Sequence, residues 1–118
     1  MWAVRAYVEA SGDTAWLNSN YAAIKSGVAD ALEANLETNK IAKADSSIWE
    51  VHDANKKHFA YTTITSARGF CDLGAVAGKA GNAGDQMHYQ MLSSQIKAAL
   101  LGAFIDTQGG LSSSLGEM

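Results

Sequence analysis

The sequence predicts an all-α protein, and three observations support this. The chain contains no proline, a residue that costs about 3 kcal/mol at each helix-interior position. Alanine is abundant and aliphatic β-branched residues are sparse, as helix propensity favours. Apolar residues also recur every three or four positions over long stretches, which places them on one face of a helix.

Size and charge restrict the class of protein. The 118 residues, 47% of them hydrophobic, suffice for one small domain with a modest core. The net charge is -3 and the longest basic cluster is Lys56-Lys57-His58, too short to follow a phosphate backbone, so we expect no nucleic-acid partner. No apolar run approaches the ~18 residues needed to cross a bilayer, so no membrane partner is expected. The N-terminus lacks a signal-peptide pattern, and localisation stays open.

The first half of the chain predicts two helices. The first covers residues 2–11 and ends at Gly12, and Asp13 can cap the second through its carboxylate. The second helix should fade near residues 35–39. Its predicted core face comprises Leu17, Tyr21, Ile24, Val28 and Leu32.

The second half predicts two more helices after an irregular stretch at 39–57. The third should begin near His58 and end about Lys79. Gly81-Asn82 then breaks the chain, and Asp85 can cap a fourth helix that ends before Gly109. The predicted core stripe of the third helix is Ile64, Ala67, Cys71 and Val76, and that of the fourth is Met91, Leu92, Ile96, Leu100 and Phe104. Residues 111–116 resemble a loop or a frayed end.

A faint repeat links the two halves. Gly12-Asp13 and Gly84-Asp85 lie 72 positions apart, and each precedes an amphipathic stretch. This pattern is typical of two αα-hairpins, with the irregular stretch between them. Such hairpins form either an open solenoid or a closed toroid, and the periodicity alone does not choose.

Metal and cofactor chemistry has little support in the sequence. Cys71 is the only cysteine, which excludes an internal disulfide and a zinc cluster. We expect it to be a buried small apolar residue. No Asp/Asn-rich segment has the spacing of calcium ligands, and no metal or cofactor is predicted.

Glu50 is the strongest candidate for chemistry. It follows Trp49 in the irregular stretch, and loops on a rigid scaffold often carry functional groups. An indole beside a carboxyl group removes water and disfavours the charged form, so Glu50 can stay protonated and act as a general acid. The alternative is that Trp49 anchors the loop in the core while Glu50 points into water.

Two adjacent stretches resemble a known enzyme family. Ser47-Ile48-Trp49-Glu50-Val51, followed by His58-Phe59-Ala60-Tyr61-Thr62, is similar to the general-acid loop of family 15 of the glycoside hydrolases, the glucoamylases and glucodextranases. The opening stretch from Trp2 to Asp13 is similar to the helix and turn upstream of that loop. The resemblance extends to about residue 80.

The resemblance implies an (α/α)6 barrel that hydrolyses α-glucosidic bonds with inversion, and therefore a carbohydrate partner. Glu50 would protonate the glycosidic oxygen while a second carboxylate activates water from the opposite face. Trp49 would shape the sugar site. Phe59 and Tyr61 would line the same wall or, as aromatic residues at a helix start, belong to the core. His52, at a position where bacterial relatives carry arginine, would reach a sugar hydroxyl or lie solvated in the loop.

The chain also departs from the family pattern. Ser47 and Val51 stand where the fungal branch has acidic residues, so fungal substrate preferences do not transfer. Four helices cannot close a twelve-helix barrel, and no other acid stands in the motif of the catalytic base. Residues 1–118 are therefore expected to be a single segment of an incomplete catalytic domain. In isolation it should be inactive, and exposed helix faces would favour self-association.

Two other functions remain open at this point. One is a non-enzymatic helical-repeat domain that binds proteins, although its repeats usually have short regular connections. The other is a different α/α-toroid glycosidase, such as a trehalase, that uses Glu50 in another role.

Overall fold

The computed structural model describes residues 1–48 and 55–116, and most of them are helical, as the sequence predicts. Within these residues there is no β-strand, and β-pairing is limited to isolated bridges. The elements in chain order are α1 (Trp2–Ser11), α2 (Thr14–Ile24), a π-helical turn (Lys25–Ala29), α3 (Asp30–Ala34), α4 (Ala60–Lys79) and α5 (Ala83–Phe104).

The turn between α1 and α2 confirms the predicted boundary. Gly12 adopts the left-handed conformation with φ 66°, and its N–H donates to the carbonyl oxygen of Val8 at 2.9 Å. The Asp13 carboxylate then accepts from the backbone N–H of Trp16 at 3.0 Å. Its other oxygen accepts from the Tyr7 hydroxyl at 2.6 Å. One aspartate therefore caps α2 and ties it to α1.

The π-helical turn corrects one predicted core residue. A π-turn holds more residues than an α-turn, so positions after it are rotated relative to the α-helical register. Val28, predicted to face the core, is 40% exposed, while Ala29 is fully buried. Tyr21, Ile24 and Leu32 still pack partly buried against the core.

The hairpin of α4 and α5 forms the centre of the molecule. Its two helices pack through a buried hydrophobic cluster, to which the π-helical turn contributes Ala29. The members from α4 and α5 are Ala67, Phe70, Leu73, Ala77, Tyr89, Leu92 and Ile96. Gly81, with φ 76°, turns the chain after α4, and the Asn82 side chain accepts from the N–H of Asp85 at 3.1 Å. The cap of α5 is therefore Asn82 and not the predicted Asp85.

The position of this cap also changes which residues of the two halves of the chain correspond to each other. Gly84 and Asp85 lie inside α5, so they are not equivalent to Gly12 and Asp13. The structural counterpart of Gly12-Asp13 is Gly81-Asn82, where a left-handed glycine is again followed by a capping Asx side chain.

Four other predicted core positions are wrong or only partly right. Ile64 is 40% exposed and Met91 is 48% exposed, while Cys71 and Leu100 are only partly buried. The reason is that the buried face of the helix is not the face predicted from the sequence. Helix α4 packs against α5 and against Ala29 and Leu32, so its buried positions, such as Thr63 and Phe70, lie on a different face from Ile64.

Helix α1 packs across α4 through a second, smaller cluster. Val8, Leu17 and Val76 are its buried members, with Met1 and Val4 packed against them. Helix α1 therefore lies beside α4. Of the two predicted αα-hairpins, only α4 and α5 pack along their length, whereas α1 and α2 meet chiefly near their shared turn.

Candidate functional site

The irregular connection between α3 and α4 is fixed at both ends. Near its start, Leu36 and Ala42 form a bridge, and the N–H of Ala42 donates to the Thr63 hydroxyl at 3.1 Å. Further on, the backbones of Asp45 and Lys57 exchange two hydrogen bonds, each of 3.0 Å. The segment between Asp45 and Lys57 therefore emerges from a closed base.

Asp45 holds this base against α4. One carboxylate oxygen accepts from the N–H of Ser47 at 2.9 Å. The other accepts from the Thr62 hydroxyl in the first turn of α4 at 2.8 Å. Because hydrogen bonds to an ionised carboxylate are among the stronger ones in proteins, Asp45 fixes where the loop leaves the scaffold.

A cleft opens beside this base. It encloses about 350 Å³, at the lower end of the range for small-molecule sites. We call it the loop-base cleft, and it is lined by Ser47, Phe59, Ala60, Tyr61, Ile64, Leu111 and Ser113. Apolar surfaces and hydroxyl groups thus occur together in one concavity.

The C-terminal segment supplies one wall of this cleft. Ile105 and Leu111 form a bridge, as do Phe59 and Ser114. The N–H of Ala60 donates to the Ser113 carbonyl oxygen at 2.9 Å. Instead of a frayed end, much of the segment to residue 116 therefore covers the start of α4. The sequence signal was weak, because serine-rich and glycine-rich stretches are equally typical of loops.

Phe59 and Tyr61 line the cleft in different ways. Phe59 is 7% exposed, and its extended backbone precedes the first turn of α4. This extended conformation explains why α4 begins at Ala60 instead of near His58. Tyr61 is 50% exposed. The structure thus brings both predicted residues to one concavity, with Phe59 as a buried wall and Tyr61 as an accessible ring.

The other three predicted site residues, Trp49, Glu50 and His52, lie outside the described residues. Their immediate neighbour Ile48 is 60% exposed. On the other side of the loop, the His58 imidazole Nε2 lies 3.3 Å from a carboxylate oxygen of Glu37.

A second concavity lies on the solvent face of α4, between α1 and α5. It encloses about 700 Å³. We call it the α4 groove, and its principal residues are Trp2, Arg5, Ile64, Arg68, Lys97 and Leu100. Ile64 borders both concavities.

One buried carboxylate organises the charges at this groove. Asp72 is 1% exposed, and its Oδ1 accepts from the Nη1 of Arg5 at 3.2 Å. Its Oδ2 accepts from the Nε of Arg68 at 3.1 Å. The Nε of Arg5 also donates to Glu9 at 2.8 Å. The hydrogen bond to Glu9, followed by the one to Asp72, keeps the pKa of Arg5 above its ordinary value.

A second polar cluster joins α2 to α5. Asp85 accepts from Lys25 at 2.9 and 3.0 Å, from Tyr21 at 2.7 Å and from Asn82 at 2.9 Å. The hydrogen bonds from Lys25 and then Tyr21 hold the pKa of Asp85 below its ordinary value. Burial, followed by the hydrogen bond to Asp85, raises the pKa of Tyr21.

Because Asp85 lines neither the loop-base cleft nor the α4 groove, it joins two helices and is not part of a candidate site.

The described part of the chain offers neither a metal site nor a membrane span. No group of three or more His, Cys, Asp or Glu side chains in residues 1–48 and 55–116 is arranged to hold a metal ion. Within the same residues, no helix combines the length and apolar character needed to span a membrane.

Comparison with known proteins gives no relative for this chain. No family model matches it, and neither a curated protein nor a solved structure matches it.

Proposed function

We propose that this chain is the general-acid segment of a glucoamylase-like glycoside hydrolase and that it binds the end of an α-linked glucose oligosaccharide. Glu50 would donate a proton to the glycosidic oxygen. Trp49 would shield Glu50 from water and present a ring face to the sugar, and His52 would bind a sugar hydroxyl. The observation that carries the proposal is the loop-base cleft, which lies where the loop bearing these residues leaves the scaffold.

The lining of the cleft suits a sugar ring. A pyranose has apolar C–H faces and hydroxyl groups around its edge. Tyr61 offers an accessible ring and a hydroxyl, while Ser47 and Ser113 border the same space. Sites for small molecules commonly combine apolar walls with a few polar groups that fix orientation.

The rigid loop base supports a catalytic role for the loop. A general acid must be held within hydrogen-bonding reach of the leaving oxygen. Asp45 connects the loop base to Thr62 of α4, and Ala42 is hydrogen-bonded to Thr63 one position later. Two successive residues of the first α4 turn thus hold the connection.

The packing of α1 and α5 against α4 is compatible with an (α/α)6 barrel. In such a barrel, the first helices of successive hairpins form one ring. Here α1 packs beside α4, and α5 returns antiparallel along α4. We propose that the chain contributes four helices to such a barrel. They are α1, the continuous helix formed by α2, the π-helical turn and α3, and then α4 and α5.

The reaction would be an inverting hydrolysis. Glu50 would protonate the departing oxygen. A second carboxylate, which no motif in this chain supplies, would activate water on the opposite face of the sugar. Inverting enzymes separate the two carboxyl groups by ~6.5–9.5 Å to accommodate that water. The isolated chain is therefore expected to bind carbohydrate without turnover.

Carbohydrate binding tests the proposal directly. Maltotriose should perturb the ¹H–¹⁵N NMR signals of Ser47, Tyr61 and Ser113, and Trp49→Ala should weaken this binding. Trp16→Ala is the matched control, because Trp16 lies on α2 and packs edge-on against Tyr7 at a ring-centroid distance of 5.4 Å. Perturbation elsewhere in the molecule, or equal binding by both variants, would argue against a sugar site at the loop base.

A further inference from the structure

The α4 groove has a chemistry that the carbohydrate proposal does not use. Its floor contains two small side chains, Ala67 and Cys71, and its walls include the apolar side chains of Trp2, Ile64 and Leu100. Trp2 is 65% exposed. Small residues between taller walls permit a helix to approach at the 8–10 Å interaxial distance of packed helices.

Cationic groups border this apolar floor. Arg5, Arg68 and Lys97 line the groove, whereas Glu9 is its acidic lining residue and Asp72 lies buried beneath it. The groove is thus positive although the whole chain carries a net charge of -3.

Two of these cations have unused hydrogen-bonding capacity. The Arg68 side chain is 60% exposed and reaches Asp72 through Nε alone. Within the described ranges, its Nη groups make no hydrogen bond. Lys97 likewise has no acidic partner among residues 1–48 and 55–116. Exposed cations beside an apolar floor favour an anionic, amphipathic partner.

We propose that the α4 groove binds an acidic amphipathic helix of another protein. The apolar residues of that helix, three and four positions apart, would pack between Trp2 and Leu100. Its flanking glutamate or aspartate residues would pair with Arg68 and Lys97. This inference uses neither Glu50 nor the loop-base cleft, so it is independent of the proposed carbohydrate function.

A second copy of the chain is the less suitable occupant. The exposed apolar stripe of α5 contains Met87, Met91 and Leu101. Between residues 86 and 105, however, the sequence has no acidic residue and contains Lys97. This stripe would bring a positive charge to a positive groove, which disfavours association.

Cys71 provides a reporter for occupancy. It is the only cysteine in the chain, it is partly buried and it lines the groove. A helix bound there should slow the reaction of its thiol with a disulfide reagent.

The probe is a synthetic alanine-based peptide of about 20 residues, long enough to form a helix in water. Leucine occupies one stripe, and glutamate flanks that stripe. The control peptide has lysine in place of each glutamate. The glutamate peptide should protect Cys71 several-fold more strongly than the lysine peptide, and added salt should reduce the difference because it screens exposed charges.

Protein variants locate the interaction. Lys97→Glu should weaken binding of the glutamate peptide about tenfold, and folding should be retained because Lys97 has no ion-pair partner in the described part of the chain. Lys79→Glu reverses a charge at the exposed end of α4, outside the groove, and should bind normally. Equal protection of Cys71 by the glutamate and lysine peptides would overturn the proposal. An equal loss of peptide binding in Lys97→Glu and Lys79→Glu would also overturn it. Protection without peptide that grows with protein concentration, together with a dimer mass, would assign the groove to a second copy and would also overturn it.

Discussion

Arg5 in α1 donates a hydrogen bond from Nη1 to the buried Oδ1 of Asp72 in α4, across 67 positions of sequence. Arg68, one turn before Asp72, neutralises the same carboxylate from within α4. A carboxylate that is 1% exposed would be costly without such partners. The pair therefore fixes the position of α1 on α4.

The first prediction concerns this carboxylate. Asp72→Asn keeps the shape of the side chain but removes the charge that both arginines bind. We expect it to lower the free energy of unfolding by about 1–3 kcal/mol, the range for hydrogen bonds to charged groups. Urea unfolding measures this loss. The exposed Asp30→Asn variant is the control and should change stability by less than about 0.5 kcal/mol; equal stability of the two variants would refute a structural role for Asp72.

The second prediction concerns pH and Asp85. Its pKa is held below the ordinary value of 3.8, so its ionised form stabilises the folded state. This stabilisation is complete well above pH 3.8 and is lost as the pH falls through the lower pKa of the folded state. Asp85→Asn should therefore unfold more readily than the parent at neutral pH, and the difference should shrink in acid. Thermal unfolding between pH 7 and pH 2 tests this, and a difference that stayed constant or grew in acid would contradict it.

The third prediction contrasts two glycines. Gly102 is exposed in the last turn of α5, and an added Cβ would meet no atom within 4 Å. Gly102→Ala should stabilise the protein by about 0.5–1 kcal/mol. Gly12 also has free space but has φ 66°, so Gly12→Ala should destabilise it by about 1–2 kcal/mol. In chemical denaturation, the change in the free energy of unfolding should have opposite signs in the two variants. The same sign in both would show that backbone conformation does not decide the effect.

The fourth prediction concerns the loop base. Thr62→Val removes the hydroxyl that donates to Asp45. The amide of Lys57, which donates to the Asp45 carbonyl oxygen, should then exchange with solvent about tenfold faster, as expected for the loss of one charge-assisted hydrogen bond. Thr65→Val is the control, because the Thr65 hydroxyl bonds carbonyl oxygens within its own helix. Unchanged exchange at Lys57 in Thr62→Val would show that Asp45 does not depend on α4.

The sequence was most informative where local chemistry decides the structure. The boundary at Gly12 and the cap at Asp13 follow from backbone and side-chain hydrogen bonding within a few residues, and both were predicted. At the second boundary, Asn82 and Asp85 were both chemically suitable caps, and only the observed turn shows that Asn82 takes the role.

Predictions that depended on packing were less successful. The π-helical turn moved the core position from Val28 to Ala29, and a fixed helical period does not anticipate such a shift. Ile64 and Met91 were assigned to the core because apolar residues recur at helical spacing on more than one face. Which face is buried depends on the neighbouring helices, and these were not known from the sequence.

For the candidate site, too, local motifs were informative and long-range packing was not predicted. The aromatic residues Phe59 and Tyr61 were identified from the motif, and both border the loop-base cleft. The wall formed by Leu111 and Ser113 was not predicted, because the pairing of Phe59 with Ser114 joins positions far apart in sequence. Long-range pairing of a short segment leaves little local pattern to detect.

The central claim is that Trp49 shields Glu50 so that its carboxyl group holds a proton where ordinary glutamates have lost theirs. The most direct measurement is a ¹³C NMR titration of the glutamate side-chain carboxyl groups, with Glu50→Gln identifying the signal and Trp49→Ala testing the shielding. The account predicts that Glu50 has a pKa above that of an ordinary glutamate and that Trp49→Ala lowers it toward the ordinary value. An ordinary pKa for Glu50, unchanged by Trp49→Ala, would contradict the account.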